Sequence, residues 1–97
     1  MNRVRQASLW AKDELFVDAV MLGDGSLRIE GQDLRHGEYE YFFTVKSENV
    51  AALVQAMGGS GEDDVLELLR AKASELVHLG EMAWLKAHSI PYDFFSP

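Results

Sequence analysis

The chain has no cysteine. That excludes a disulfide framework, a cysteine-ligated zinc site and a cysteine nucleophile. It is also poor in positive charge: 9 Lys and Arg stand against 16 Asp and Glu, a formal charge of −7. This balance opposes attraction to nucleic acid or to an anionic membrane surface and turns the search for a partner toward basic proteins. No apolar run approaches the roughly 20 residues of a membrane span. Residues 1–12 carry Arg3 and Arg5 but no apolar core of signal-peptide length, so a cytoplasmic location is expected. No serine lies in a Gly-x-Ser-x-Gly setting. Gly58-Gly59-Ser60-Gly61 precedes a predicted helix, as a phosphate loop would, but that helix opens with Glu62, Asp63 and Asp64. Three carboxylates there repel a phosphate.

What is present describes one folded domain. Ninety-seven residues allow a single core, and 47% hydrophobic with 10% aromatic residues is too apolar for disorder. The domain 1–97 divides into an N-terminal segment 1–12, an antiparallel sheet 13–46, helices 47–90 and an aromatic tail 91–97. Residues 14–22 are dense in β-branched and aromatic side chains and predict a strand apolar on both faces. Leu15, Val17, Ala19 and Met21 share one face; Phe16, Asp18, Val20 and Leu22 share the other. Asp24-Gly25 marks a tight turn. Residues 26–33 alternate, with Leu27 and Ile29 opposed to Arg28 and Glu30, and Gly31 suggests a bulge or the end of pairing. Glu38 to Lys46 is the strongest strand: Tyr39, Tyr41, Phe43 and Val45 oppose Glu38, Glu40, Phe42 and Thr44. Ser8-Leu9-Trp10 is a candidate fourth strand.

The hydrophobic period then changes from 2 to 3.6. Ser47 is a suitable N-cap, Val50, Leu53, Val54 and Met57 form a stripe, and Gly58-Gly59 ends the helix. Ser60 and Asp63 have capping-box spacing for a second helix, about 27 Å long, running to Leu79. Gly80 interrupts it, residues 81–88 form a short third helix, and Pro91 stops that one. The pair Phe94-Phe95 is expected to dock on the body, since two exposed adjacent rings would be costly. The expected fold is α+β: a three- to four-stranded antiparallel meander followed by two to three helices packed on one face.

Few residues suggest chemistry. Glu75 and His78 have the Glu-x-x-His spacing of carboxylate-bridged di-metal bundles, but such a site needs a second copy and two further glutamates. His78 otherwise reads as a hydrogen-bonded residue near a helix end, and His88 as a helix C-cap. His36 falls in a loop. Asp63 and Glu67, at i and i+4, can share a cation, yet acids in a first turn are favoured by the helix dipole alone. No cofactor is expected. The most informative feature is the second sheet face. If the helices cover one face, Phe16, Val20, Leu22 and Phe42 are left on the other with Asp18, Arg28, Glu30, Glu38 and Glu40, an apolar centre with an acidic rim. The competing reading is that residues 1–12 or the aromatic tail fold over it.

The string Asp24-Gly25-Ser26-Leu27-Arg28-Ile29-Glu30-Gly31-Gln32-Asp33-Leu34, with Glu38-Tyr39-Glu40-Tyr41, resembles a group of small acidic bacterial proteins of unassigned function. The close Trp84-Leu85-Lys86-Ala87-His88-Ser89-Ile90-Pro91, followed by an aromatic pair, is similar to theirs. In size and acidity the chain is also loosely similar to immunity proteins that neutralise bacterial toxins, a likeness that carries no site residues. The expected function is a non-enzymatic module that binds a basic protein, in the manner of an immunity-type antagonist. The alternatives are a homodimeric structural or regulatory subunit, or a metal-dependent enzyme using Asp63, Glu67, Glu75 and His78.

Overall fold

A computed structural model describes residues 2–35 and 37–96; His36 lies outside them. The strands are β1 (Arg3–Lys12), β2 (Leu15–Leu22), β3 (Leu27–Asp33), β4 (Tyr39–Val45) and β5 (Asp93–Phe95). The helices are α1 (Ser47–Ala56), α2 (Val65–Ala71), α3 (Ala73–Leu79) and α4 (Glu81–Ala87). The strands form one antiparallel sheet in the order β1-β2-β3-β4-β5. The α+β meander is thus present, extended by a strand at each edge. Among the described residues neither the N-terminal segment nor the tail crosses a sheet face; both pair along an edge.

Alternation decides which side of the sheet is buried. Leu15, Val17 and Ala19 of β2, Leu27 and Ile29 of β3, and Phe43 and Val45 of β4 point to one face. They form a single core with Leu53, Leu66, Leu69, Leu76, Trp84 and Leu85 of the four helices. Each fully buried side chain of this kind contributes about 1.5–3 kcal/mol. All four helices therefore lie on that face, with α2 over β1 and β2 and α3 over β1.

Five local features depart from expectation. First, β1 and β2 form a hairpin across Asp13 and Glu14, whose φ values are 56° and 62°. Both central residues of a tight hairpin turn must be left-handed, and here they are so without a glycine. Second, Gly31 does not break pairing: it stands between Val17 and Tyr41 in continuous register. Its hydrogen is what lets the Tyr41 ring lie over β3, because a Cβ there would fall 2.1 Å from Tyr41 Cζ. Third, Ser47 is the first residue of α1, whose N-cap is Lys46.

Fourth, the long second helix is two seven-residue helices sharing Lys72 as a cap. Fifth, the first of these starts at Val65 rather than Ser60. Asp64 is its N-cap, accepting from the Leu66 amide at 3.0 Å and pairing with Arg5 of β1. Arg5 holds the Asp64 carboxyl below the usual range, helped by the Leu66 amide. Ser60 and Asp63 close a separate turn, Ser60 N–H donating to Asp63 Oδ2 at 2.8 Å. The helix ends match the sequence. Gly58 (φ 79°) follows α1, with Gly59 N–H bonded to Val54 O and Gly58 N–H to Gln55 O. Ser89 (φ 57°) and Ile90 end α4 with the same pair of bonds, to Lys86 O and Leu85 O, before Pro91. No helix among the described residues is long and apolar enough to cross a membrane.

Candidate functional site

The helix-free face is built from three consecutive rungs of the ladder. One rung is Gln6, Val20, Arg28, Thr44 and Asp93. The next is Ser8, Asp18, Glu30, Phe42 and Phe95. The third is Ala11, Phe16, Gln32 and Glu40. Between the last two rungs lies a cavity of about 320 Å³. Phe16 and Phe42 form its apolar sides, Asp18, Glu30 and Glu40 its acidic ones, and Arg3 and Gln32 complete the wall. The backbone of Gly31 and Tyr41 forms the floor.

Its electrostatics are lopsided. Asp18 and Glu30 stand directly opposite each other on β2 and β3, a like-charge pair that is unfavourable on a sheet. Arginines relieve only one of them. Arg3 donates Nη1 and Nη2 to Glu30 Oε1 and Oε2, both at 2.9 Å, and Arg28 Nη1 lies 3.5 Å from Glu30 Oε2. The Glu30 carboxylate, by that hydrogen bond, raises the pKa of Arg3. Asp18 acts on Arg3 only through space. Neither Asp18 nor the Glu40 carboxylate makes a hydrogen bond or ion pair among the described residues. Phe42 is held on both sides: the Arg28 guanidinium carbon lies 4.2 Å from its ring centroid on the β3 side, and Phe95 stacks at 5.0 Å on the β5 side. Phe16 and Phe95 are 42% and 52% exposed, so apolar ring surface reaches solvent on either side of the carboxylates.

Of the residues expected on this face, Asp18, Glu30, Glu40, Phe42 and Phe16 meet in the cavity. Two do not. Val20 is on the correct face but fully buried, because the register sets it between the long side chains of Gln6 and Arg28. Glu38 precedes β4 and stands outside the cavity, accepting from Gln32 Nε2 at 3.4 Å. Arg3 and Gln32 were not foreseen. Their places follow from register, which a single strand's alternation does not specify.

The residues of the metal reading are dispersed and engaged elsewhere. Asp63 binds Ser60, Glu67 pairs with Arg70 at 3.4 Å, and Glu75 Oε2 accepts from the buried Trp84 Nε1 at 2.8 Å. His78 Nδ1 bonds the Ser74 carbonyl oxygen at 2.7 Å, its ring edge-on to Trp10. Among the described residues no group of three or more His, Asp or Glu stands close enough to hold a metal ion. His88 is the C-cap of α4 and packs edge-on against Trp84 at 4.1 Å.

A second feature lies on the helix side, where α4 leaves the β4–β5 corner partly uncovered. Tyr39, Tyr41, Phe43 and Phe94 line a groove of about 490 Å³ with Met82, Ala83 and Lys86 of α4. Tyr41 Oη donates to Glu81 Oε1 at 2.7 Å, tying the sheet to the helix. Burial, with that carboxylate beside it, pushes the Tyr41 hydroxyl well above the usual phenol range. The sequence signal for this groove is the alternation Tyr39/Tyr41/Phe43 together with the aromatic tail. The tail does dock, through backbone pairing of Phe94 with Phe43 and Phe95 with Phe42. An edge strand satisfies its backbone that way while leaving both rings about half exposed. Compared with protein-family models, with curated proteins and with solved structures, the chain matches none.

Proposed function

We propose that this protein is a non-enzymatic binding module whose helix-free sheet face engages a basic protein. The observation that carries the reading is a pair of carboxylates, Asp18 and Glu40, that make no hydrogen bond or ion pair among the described residues and are set in one concavity between the exposed ring of Phe16 and the half-buried ring of Phe42. An aromatic wall beside carboxylates suits the stem and head of a lysine or arginine: the stem gains apolar contact and the head gains charge. The net charge of −7 speeds encounter with a positive partner, and ring burial slows release. An immunity-type antagonist of a basic toxin is one form such a module takes. A second copy is the poorer occupant, because face-to-face pairing brings Asp18 and Glu40 of one chain against those of the other.

The test compares two charge reversals of equal size. Asp18→Lys with Glu40→Lys alters the cavity; Glu62→Lys with Glu67→Lys alters the exposed α2 region. Each variant is immobilised beside the parent and exposed to lysate of the source cell at moderate salt. A basic protein held by the parent and by the α2-region variant, and lost from the cavity variant, supports the assignment. Equal retention by all three contradicts it, as does equal loss from both variants.

A further inference from the structure

The groove between β4 and α4 is independent of the acidic face and has different chemistry. Its wall is aromatic and aliphatic: Tyr39, Tyr41, Phe43 and Phe94 face Met82 and Ala83. Its volume, about 490 Å³, is in the range of small-molecule sites, which combine apolar walls with a few orienting polar groups. Two charged side chains border it. Glu81 already accepts the Tyr41 hydroxyl. The Lys86 ammonium makes no ion pair or hydrogen bond among the described residues. The two are five residues apart on α4, about 7.5 Å along its axis. Other charges of this acidic chain act weakly at such a rim, since physiological salt screens exposed charges beyond about 8 Å. The groove therefore presents an apolar bed with one uncommitted cation at its end.

We propose that this groove binds a small molecule with an aromatic or aliphatic body and a single carboxylate head, the body on Tyr39, Tyr41 and Phe94 and the head on Lys86. The distance along α4 sets the size: a body about as long as a phenylpropyl group extends from Lys86 to the open end at Gly80. Glycine there presents no side chain, and an added Cβ would meet nothing within 4 Å.

The probes are 3-phenylpropanoate and its neutral amide, titrated into the intact chain while methyl and aromatic NMR signals are followed. The expected result is saturable shifts at Met82, Tyr39 and Phe94, with the carboxylate binding about two- to fivefold tighter than the amide, the gain of an exposed ion pair. Lys86→Met should bring the carboxylate down to the affinity of the amide. Ala83→Trp, which fills the groove from an exposed position, should abolish binding of both while leaving the circular dichroism spectrum unchanged. Absence of saturable shifts, shifts centred elsewhere, or equal affinity for the two probes would each overturn the proposal. So would an unchanged carboxylate affinity in Lys86→Met.

Discussion

Gly31→Ala should destabilise the protein, although alanine is the better residue for an ordinary strand. Gly31 sits inside β3. Replacing a strand glycine without clash normally stabilises by about 0.4–1 kcal/mol, by narrowing the unfolded ensemble. Here the added methyl falls 2.1 Å from Tyr41 Cζ, 2.4 Å from Oη and 2.5 Å from Cε1. Carbon atoms pack at about 3.5–4.0 Å, so the ring must move by more than about 1 Å. Overpacking of this kind costs about 1–3 kcal/mol. The displaced hydroxyl also gives up its bond to Glu81, worth about 1.5–3 kcal/mol at most and less here because the pair is only partly buried. After the unfolded-state gain is subtracted, the net loss is about 2 kcal/mol, a fall in Tm of about 8–16 °C for a chain of this size. Urea unfolding followed by circular dichroism measures it. In a Tyr41→Ala background the same change meets no ring and should be neutral or stabilising, so a double-mutant cycle should give a coupling of about 2–3 kcal/mol. A parent-like or raised stability for Gly31→Ala alone, or an equal penalty without Tyr41, would refute the reasoning.

Three further outcomes follow from the same contacts. Glu75→Ala leaves the Trp84 indole N–H buried without its acceptor and should cost about 1–3 kcal/mol, with Glu75→Gln costing less; urea melts on the pair decide it. Glu14→Gly relieves a left-handed residue in the β1–β2 turn and should raise stability by up to about 1 kcal/mol, visible as a higher Tm. Tyr41 holds its proton more tightly in the folded state than in the unfolded chain, where a phenol titrates near pH 10. Its contribution is therefore complete below pH 10 and is lost as pH rises above it, at up to about 1.4 kcal/mol per pH unit. Tyr41→Phe should flatten that alkaline limb in stability measured against pH.

The sheet was legible where alternation is strict. Strands β2, β3 and β4 are joined by short links, their apolar positions recur every second residue, and this places Asp18, Glu30, Glu40, Phe16 and Phe42 on one face. Strand β1 was less legible because register shifts between Arg3 and Arg5 and between Ser8 and Trp10 interrupt its period of two. The hairpin at Asp13-Glu14 carries none of the glycine or asparagine that usually marks such a turn. The break at Lys72 has neither glycine nor proline to announce it; tertiary packing of two short helices overrides a continuous helical stripe. The site was legible as a composition of one face, but not as a cavity. Which side chains meet depends on register across strands far apart in sequence, and that register buries Val20 and excludes Glu38. It also brings Arg3 over Glu30, a pairing that leaves the Asp18 and Glu40 carboxylates without a hydrogen bond or ion pair among the described residues.

The most direct test of the proposed binding face is an amide NMR titration of the intact chain with a short peptide alternating arginine and alanine, at physiological salt. If the helix-free face receives cationic side chains, the largest shifts should cluster at Phe16, Asp18, Gly31, Glu40 and Phe42 and vanish in the Asp18→Lys, Glu40→Lys variant. Shifts that instead follow the acidic stretch Glu62 to Glu67, or that persist unchanged in the variant, would contradict the account.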